Sequence, residues 1–393
     1  MNGKRKNLTF SRRRTLTLLG GLLVAPKAFA QVAAHSFQYP SSQYPLDGYP
    51  EGYRLPLTSF APVVPGYTLR FPRDEGSHPD FRIEWWYVTG WLDTPGGKPL
   101  GFQITFFRTA LELKSDNPSA FSPRHILIAH AALSDPERGR LQHDQRVARA
   151  GLSLAGAGQD GVEVWIDDWS LKQEGRIYRA RIPARDFQLD FTFSPTQPPL
   201  PQGINGLSRK GPRPESASYY YSLPQLKVSG TLIHSGKAKP VTVTGTAWLD
   251  HEWSSSHMDK AATGWDWAGI NFADGGALMV FRMRDQQGGH LWAGGALRHA
   301  DGRLKVFSPD EVRFIPLREW TSARTGTTYP VSFLVRAGDR EFAIEPLFDD
   351  QEHDTRLSTG TIYWEGAVRA LHNDLPAGQG YLELTGYWRS MRF

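Results

Sequence analysis

The chain has 393 residues, with 45 lysines and arginines against 40 aspartates and glutamates, a formal net charge of +5 and no cysteine. The absence of cysteine excludes disulfides, thiolate metal sites and cysteine nucleophiles. A chain of this length exceeds the usual limit of one hydrophobic core, which favours two domains.

The first thirty residues have the composition of an export signal. Residues 1–14 are basic and carry no acid, residues 16–25 are mostly apolar, and Ala28-Phe29-Ala30 places small residues at a cleavage site. This order is typical of a secretory signal peptide. The apolar run is shorter than the roughly 20 residues that cross a membrane, so we expect no stable membrane insertion. A basic tail before a buried helix is the alternative interpretation.

The arginine pair in this segment points to one export route. Ser11-Arg12-Arg13-Arg14-Thr15-Leu16 resembles the twin-arginine motif, a bacterial export address. We predict that residues 1–30 are a twin-arginine signal peptide cleaved after Ala30 and that the mature protein is periplasmic. Removing the seven bases of the peptide from the 45 leaves 38 against 40 acids, so the charge gives no argument for a nucleic-acid partner.

The remaining chain has the pattern of an all-β protein. Residues 31–63 are rich in Pro, Tyr, Ser and Gln and predict an irregular arm, and the Pro- and Gly-rich residues 195–215 predict a loop. No window of about a dozen residues has a helical apolar period. The predicted strands are 84–92, 100–108, 125–133, 162–166, 176–182, 187–193, 219–221, 225–233, 240–248, 265–272, 277–284, 290–297, 331–337, 341–346, 361–368 and 381–387.

Short strands at even spacing are typical of β-sandwiches and barrels. Two up-and-down antiparallel barrels of about eight strands each would use these segments. We place the first barrel at residues 64–250 and the second at residues 251–393.

Three segments combine ionisable and aromatic residues. In the first, strand alternation puts Glu84 and Trp86 on one face and Trp85 and Tyr87 on the other. A carboxylate on an interior face needs a partner, and Arg108 on the next strand is a candidate. This pair is either part of a site or a structural ion pair.

The second segment, Trp248 to Trp253, places His251 between two carboxylates, Asp250 and Glu252. His251 and Trp253 share one face, and the carboxylates share the other. Imidazole titrates near neutrality, which suits acid–base chemistry. The alternative is a histidine with satisfied hydrogen bonds at a domain junction.

The third segment, Gly264 to Gly269, places Trp265 and Trp267 on one face and Asp266 on the other. A carboxylate among aromatic rings could have a raised pKa and could stabilise a developing cation. The alternative is a core strand whose aspartate caps a turn. The chain has no G-x-S-x-G, H-E-x-x-H, G-x-G-x-x-G or P-loop sequence, so we predict neither a metal nor a cofactor.

These segments resemble the AttH-like proteins, which are grouped with the carotenoid 1,2-hydratases and with predicted secreted hydrolases. The likeness spans about residues 65–393 and lies in SHPDFRIEWWYVTGWL (77–92), GFQITFFR (101–108), HAALSD (130–135), WLDHEWSS (248–255) and GWDWAGINF (264–272). The resemblance implies two lipocalin-like barrels in tandem and an apolar ligand in or between them. It also implies acid–base roles for His251, Trp253 and Asp266. Gly264 stands where the hydratases have a tyrosine.

We therefore predict an exported lipocalin-like protein that acts on an apolar, isoprenoid or lipid-like ligand by metal-free acid–base hydration or hydrolysis. The alternative from the resemblance is a non-catalytic periplasmic lipid-binding protein that works with an envelope ABC transporter. A third hypothesis has exposed tryptophans stacking on periplasmic glycans. The predicted catalytic residues are His251, Asp266 and Glu84, and the predicted ligand-binding residues are Trp86, Tyr87, Trp253, Trp265, Trp267 and Arg108.

Overall fold

A computed structural model describes residues 60–391 except 112–123, 235, 237–238 and 257. The predicted signal peptide, and the predicted arm up to residue 59, lie outside the described residues. Regular structure in the described part is strand, apart from three short 3-10 turns at Arg73–Glu75, Pro136–Arg138 and Pro309–Glu311. None of the helical turns in this part is long and apolar enough to cross a membrane.

The first sheet has 13 strands in the order β4-β3-β2-β1-β13-β12-β9-β8-β7-β6-β5, with β10 and β11 paired to β12. Its strands are β1 Ile83–Asp93, β2 Leu100–Ala110, β3 His125–Ser134, β4 Gln142–Arg149, β5 Ala155–Ala157, β6 Glu163–Ile166, β7 Trp169–Glu174, β8 Ile177–Pro183, β9 Phe187–Ser194, β10 Leu200–Pro201, β11 Leu207–Arg209, β12 Ala217–His234 and β13 Val241–Ser254.

The second sheet has 10 strands in the order β17-β16-β15-β14-β23-β22-β20-β19-β18, with β21 paired to β22. Its strands are β14 Gly264–Phe272, β15 Ala277–Arg284, β16 His290–Arg298, β17 Leu304–Phe307, β18 Val312–Thr321, β19 Thr328–Ala337, β20 Arg340–Pro346, β21 Glu352–Asp354, β22 Ile362–His372 and β23 Leu375–Leu384.

Each sheet is joined by antiparallel pairing of its first and last strands, β1 with β13 and β14 with β23. The remaining strands follow in chain order on either side, and the break in each sheet falls between its fourth and fifth strands. Strands near the break come together, β4 with β6 in the first sheet and β16 with β18 in the second. The all-β class and its antiparallel, lipocalin-like barrel architecture are therefore confirmed.

Period-two alternation builds the two cores. In β9 the side chains of Phe187, Leu189, Phe191 and Phe193 are buried and alternate with exposed or half-exposed polar residues. Side chains of this kind fill a separate apolar core in each barrel.

The strands differ in several details from those predicted from the sequence. Segments 219–221 and 225–233 form one strand, β12, with a bulge between Leu223 and Leu226. The predicted loop 195–215 contains β10 and β11, which add to β12. Strands β4, β5, β7, β17, β18 and β21 were not predicted. In β18 most side chains are exposed, so the strand has little apolar alternation. The first sheet also continues to Ser254, so the predicted boundary after Asp250 falls inside β13.

The barrels pack through the outer faces of their joining strands. β1 contacts β23, and β13 contacts β14. A third apolar cluster lies there and includes Tyr87, Trp91, Trp267 and Tyr381. The indole nitrogen of Trp91 donates a hydrogen bond to the backbone carbonyl of Gly380 at 2.9 Å, which ties the first barrel to the second.

We predict that Gly380→Ala lowers the free energy of unfolding by about 1–3 kcal/mol, because a Cβ at this position would overlap the backbone carbonyl of Gly269 on the paired strand. The measurement is urea unfolding of both proteins. Gly96→Ala is the control, since a Cβ there meets no atom within 4 Å. Equal stability of the two variants would contradict close backbone approach at the β14–β23 pair.

Candidate functional site

A cavity of about 240 Å³ lies between the two barrels. Its wall is mainly apolar and aromatic, and several ionisable side chains line it. Strands β1, β2, β12 and β13 form one side, and β14, β15, β22 and β23 form the other. The lining residues that matter below are Trp85, Tyr87, Lys210, Tyr220, Asp250, Glu252, Trp265, Trp267, Phe281, Tyr363, Glu365 and Glu383.

Strand alternation decides which side chains reach this cavity. In β1, Trp85 and Tyr87 line it, whereas Trp86 belongs to the core of the first barrel. In β13, Asp250 and Glu252 line it for the same reason. Both faces of these strands are buried, so polar groups on either face must find partners within the protein.

Asp250 receives three hydrogen bonds. The Tyr220 hydroxyl donates to Oδ2 at 2.7 Å, while Ser222 Oγ and Trp248 Nε1 donate to Oδ1 at 2.5 and 2.6 Å. Burial raises the pKa of Asp250 to about 7, although these hydrogen bonds favour the carboxylate. The group is therefore positioned to exchange a proton near neutral pH.

Glu252 has a cationic neighbour. The Lys210 ammonium lies 3.5 Å from Glu252 Oε1 and 5.7 Å from the centroid of the Trp85 ring. Burial lowers the pKa of Lys210 and raises that of Glu252, and the attraction between the two groups opposes both shifts. The pair combines an ion contact with a cation–π contact on the cavity wall.

Glu365 and Glu383 form a pair of carboxyl groups on adjacent strands. They are directly opposite each other in the β22–β23 register, which places their Cβ atoms about 4.5–5.5 Å apart. Burial, with the charge of Glu383, raises the pKa of Glu365 well above its ordinary value. Burial raises the pKa of Glu383 to about 7. Two carboxyl groups with different pKa values can act as an acid and a base.

The hydrogen bonds of this pair are unequal. The Tyr87 hydroxyl donates to Glu365 Oε1, and Trp265 Nε1 donates to Glu383 Oε2 at 3.0 Å. Glu365 Oε2 is buried and has no hydrogen-bond partner among the described residues. Glu365 is among the residues that line the cavity, so a ligand group that approached this oxygen would supply its missing hydrogen bond.

His130 marks another edge of the cavity and is held neutral. Its Nδ1 lies 2.9 Å from the Tyr363 hydroxyl and its Nε2 lies 2.8 Å from Ser358 Oγ. Burial lowers the pKa of His130 to about 3. These contacts connect β3 of the first barrel to the second barrel, so His130 supports the interface.

A second cluster lies inside the first barrel around Glu84. Glu84 Oε1 lies 2.7 Å from His78 Nδ1 and 3.0 Å from His251 Nε2. Arg108 Nε donates to Oε2 at 2.8 Å. Burial alone would raise the pKa of Glu84, but Arg108 and the two imidazoles hold it well below its ordinary value. The structure contains the ion pair between Glu84 and Arg108 that the sequence indicated.

Aromatic rings enclose this cluster. Trp86 stacks on His251 with ring centroids 4.8 Å apart, and Trp253 stacks on His78 at 3.8 Å. Burial lowers the pKa of His251, which favours the neutral ring. His251 and its two tryptophan neighbours therefore sit in a closed, packed region.

The same cluster holds the one group of possible metal ligands among the described residues. The nitrogens of His78 and His251 and an oxygen of Glu84 lie within 4.8 Å of one another. The Arg108 guanidinium already binds this carboxylate and would repel a cation. The residues fit a satisfied ion-pair network better than a metal centre.

Asp266 lies inside the second barrel, on the opposite face of β14 from Trp265 and Trp267. Arg282 Nε donates to its Oδ2 at 2.6 Å, and Arg284 Nε lies 3.2 Å from Oδ1. The Tyr387 hydroxyl also donates to Asp266 Oδ1 at 3.0 Å. Trp265 and Trp267 do not contact Asp266 from its own strand, because alternation sends the tryptophans to the cavity and the aspartate to two arginines.

Glu84 and Asp266 occupy equivalent places. Each lies on the first strand of its barrel and faces an arginine directly opposite on the second strand, Arg108 or Arg282. The two pairs therefore have the same relation to their barrels, and both arginines contact the carboxylate. This repetition favours a structural role for both carboxylates.

The predicted site residues are distributed over three places. Glu84, Trp86, Arg108, His251 and Trp253 come together in the first barrel, with Glu84 and Arg108 also bordering the cavity. Tyr87, Trp265 and Trp267 line the cavity between the barrels. The structure does not bring Asp266 and His251 together.

Sequence reasoning missed Lys210, Tyr220, Glu365 and Glu383. Lys210 lies at the end of the segment predicted as a loop, and the glutamates lie in strands that carry no motif. The signal that could have identified them is a glutamate flanked by apolar residues in Ile362–His372 and again in Leu375–Leu384. A carboxyl group among apolar side chains on the buried face of a strand is uncommon, so it indicates a candidate functional site.

Seventeen chains of solved structures match this one, and two of them inform its family and fold. One is the crystal structure of an AttH candidate from Nitrosomonas europaea, with 54% identity over 84% of this chain and 100% of that chain and a TM-score of 0.79. The other is kievitone hydratase from Nectria haematococca, with 16% identity over 82% of this chain and 94% of that chain and a TM-score of 0.63, which shows a shared fold. Comparison with curated proteins finds no match.

A protein-family profile described as AttH-like matches residues 62–387. The match covers both barrels and includes every side chain assigned above to the cavity. The chain therefore belongs to the AttH-like family.

Proposed function

We propose that the cavity between the barrels binds an apolar small molecule and catalyses addition or removal of water, with Glu365 as the acid and Glu383 as the base. The observation that carries this proposal is the cross-strand pair of carboxyl groups in an aromatic wall, of which Glu365 is fully buried and Glu383 is half-buried. Kievitone hydratase has the same fold and is by name a hydratase, which agrees with the proposal.

The chemistry follows from the two protonation states. Glu365, whose pKa is raised well above its ordinary value by burial, gives its proton to one carbon of a double bond, which leaves a cation at the neighbouring carbon. Glu383 takes a proton from water while the water oxygen bonds to that carbon. The substrate gains a hydrogen and a hydroxyl group, and a proton then returns from Glu383 to Glu365 across the strand pair.

The rest of the wall supports this reaction. The faces of Trp265 and Trp267 can stabilise a positive charge by cation–π attraction. The Tyr87 hydroxyl bonds Glu365 Oε1, which orients the carboxyl group and leaves Oε2 for the substrate. A largely apolar wall also limits bulk water, so electrostatic interactions in the cavity are strengthened.

We predict that Glu365→Gln and Glu383→Gln each lower turnover by roughly 100-fold or more and leave ligand affinity within about threefold. The ligand is first obtained by native mass spectrometry and organic extraction of the protein from its own host, and turnover of that ligand is then measured. Glu341→Gln is the control, because Glu341 is an exposed carboxylate on β20 that pairs with Arg336.

The outcome also separates the competing hypotheses. If His251→Gln abolishes turnover while both glutamine variants remain active, the centre lies in the first barrel and the assignment of the acid and base is wrong. If the extracted ligand is never altered by the wild-type protein, the non-catalytic lipid-binding alternative replaces the hydratase proposal.

We predict that the free energy of unfolding of Glu383→Gln increases relative to that of the wild type as the pH rises from 5 to 8. Burial raises the pKa of Glu383 to about 7 in the folded protein, above its value in the unfolded chain. The carboxyl group thus stabilises the fold below the unfolded pKa, and this stabilisation is lost as the pH rises through 7. Glutamine has no such dependence.

The measurement is urea unfolding of the wild type and the variant at both pH values. A difference in free energy of unfolding that is the same at pH 5 and pH 8 would show that Glu383 does not titrate in this range. Glu341→Gln again serves as the exposed control.

We also propose that the mature protein works in the periplasm, where an envelope ABC transporter is the partner in the non-catalytic alternative. The proposal rests on the twin-arginine pattern at residues 11–16. Replacing Arg12 and Arg13 with lysine should leave the full-length precursor in the cytoplasm, as measured by cell fractionation and intact mass. Arg5→Lys is the control, and unchanged export of the double variant would refute this route.

A further inference from the structure

The cavity contains more buried carboxyl groups than cations to pair with them. Asp250, Glu252, Glu365 and Glu383 line it, and the lysine and arginine side chains among its described lining residues are Lys210 and Arg108. Lys210 is paired with Glu252, and Arg108 is paired with Glu84 on the inner face of β1. Three carboxyl groups of the cavity therefore have no cationic partner among the described residues that line it.

One of these groups has an open hydrogen-bonding position. Glu365 is fully buried, its Oε1 accepts from Tyr87, and its Oε2 has no hydrogen-bond partner among the described residues. A buried polar atom without a partner costs free energy that a ligand group can recover. Glu383 lies directly opposite on the neighbouring strand, so a single ligand group can approach both carboxyl groups.

The aromatic wall suits a positively charged group. On the side of the first barrel, the Lys210 ammonium already lies 5.7 Å from the centroid of the Trp85 ring. On the side of the second barrel, Trp265, Trp267 and Phe281 line the cavity near Glu383, whose register partner on β14 is Trp267. Aromatic faces combined with carboxylates are the usual means of binding alkylated ammonium groups.

We propose that the cavity selects organic cations: molecules with an ammonium group on an apolar body, whose charge lies between Glu365 and Glu383 and whose substituents contact Trp265 and Trp267. This inference rests on the proposed function only in taking the cavity as the ligand site. It adds the chemical class of the ligand, which the acid–base roles leave open. A bound cation also has the charge of the intermediate in the proposed reaction, so the same wall serves both.

The test uses three probes of nearly equal shape with the mature full-length protein. Benzyltrimethylammonium carries a positive charge, neopentylbenzene is its neutral carbon analogue, and phenylmethanesulfonate is negative. Binding is measured by calorimetry and by tryptophan fluorescence. We expect the ammonium probe to bind at least about tenfold more tightly than neopentylbenzene, and the sulfonate to bind most weakly.

Two variants locate the effect. Glu365→Gln keeps the size of the side chain and removes the negative charge that Glu365 acquires when a bound cation displaces its proton. The variant should therefore weaken benzyltrimethylammonium about tenfold and leave neopentylbenzene unchanged. Glu341→Gln on the surface of the second barrel should change neither probe. Circular dichroism and the unfolding midpoint establish that each variant is folded. If Glu365→Gln does not fold, Glu383→Gln is used in its place.

The possible failures can be told apart. If neopentylbenzene binds as tightly as the ammonium probe, selectivity for cations is wrong, but the cavity remains an apolar ligand site as the proposed function requires. If the ammonium probe is preferred but neither glutamine variant weakens it, the cation binds elsewhere and this inference is wrong. If none of the three probes binds, both this inference and the assignment of the cavity as the ligand site are overturned.

Discussion

The organisation of this protein depends on the burial of both faces of the four strands that join the barrels. β1 pairs with β13 and β14 pairs with β23, and the outer faces of these strands meet instead of facing solvent. A strand of an antiparallel barrel normally has one face toward water, where polar side chains need no partner in the protein. Here most ionisable groups at the contact between the barrels, such as Glu84, Asp250, His251 and Asp266, are removed from bulk water, so the environment of each is set by its immediate neighbours.

The inner and outer faces of the barrel strands accommodate their ionisable groups differently. On the inner face of each barrel, a carboxylate on the first strand meets an arginine on the second, Glu84 with Arg108 and Asp266 with Arg282. These groups are held in ion pairs by their hydrogen bonds and charge. On the shared outer face, Glu365 and Glu383 lie opposite each other with no arginine between them.

This contrast separates structure from chemistry. Pairing with an arginine favours the charged form of a carboxyl group, whereas burial without a cation favours the neutral form. A protein that only needed to join two barrels would be more stable with apolar residues at Glu365 and Glu383, because burying unpaired carboxyl groups costs free energy. The presence of these groups in an aromatic cavity is the basis of the proposed function.

The sequence by itself determined most of the longer strands, the antiparallel barrel class and the faces of three motifs, because period-two alternation is a local property. It correctly separated Glu84 from Tyr87, His251 from Asp250 and Asp266 from Trp265, and it indicated Arg108 as the partner of Glu84. It missed β18, since that strand has few buried side chains and thus little alternation.

Only the tertiary structure decided which faces became a site. The sequence could not show that the outer faces of two barrels meet, because this depends on packing between residues far apart in the chain. It therefore directed attention to His251 and Asp266, which are aromatic-flanked but structurally paired, and passed over Lys210, Glu365 and Glu383. The register of β22 and β23 brings the two glutamates together, and the contact with the first barrel places Tyr87 against them.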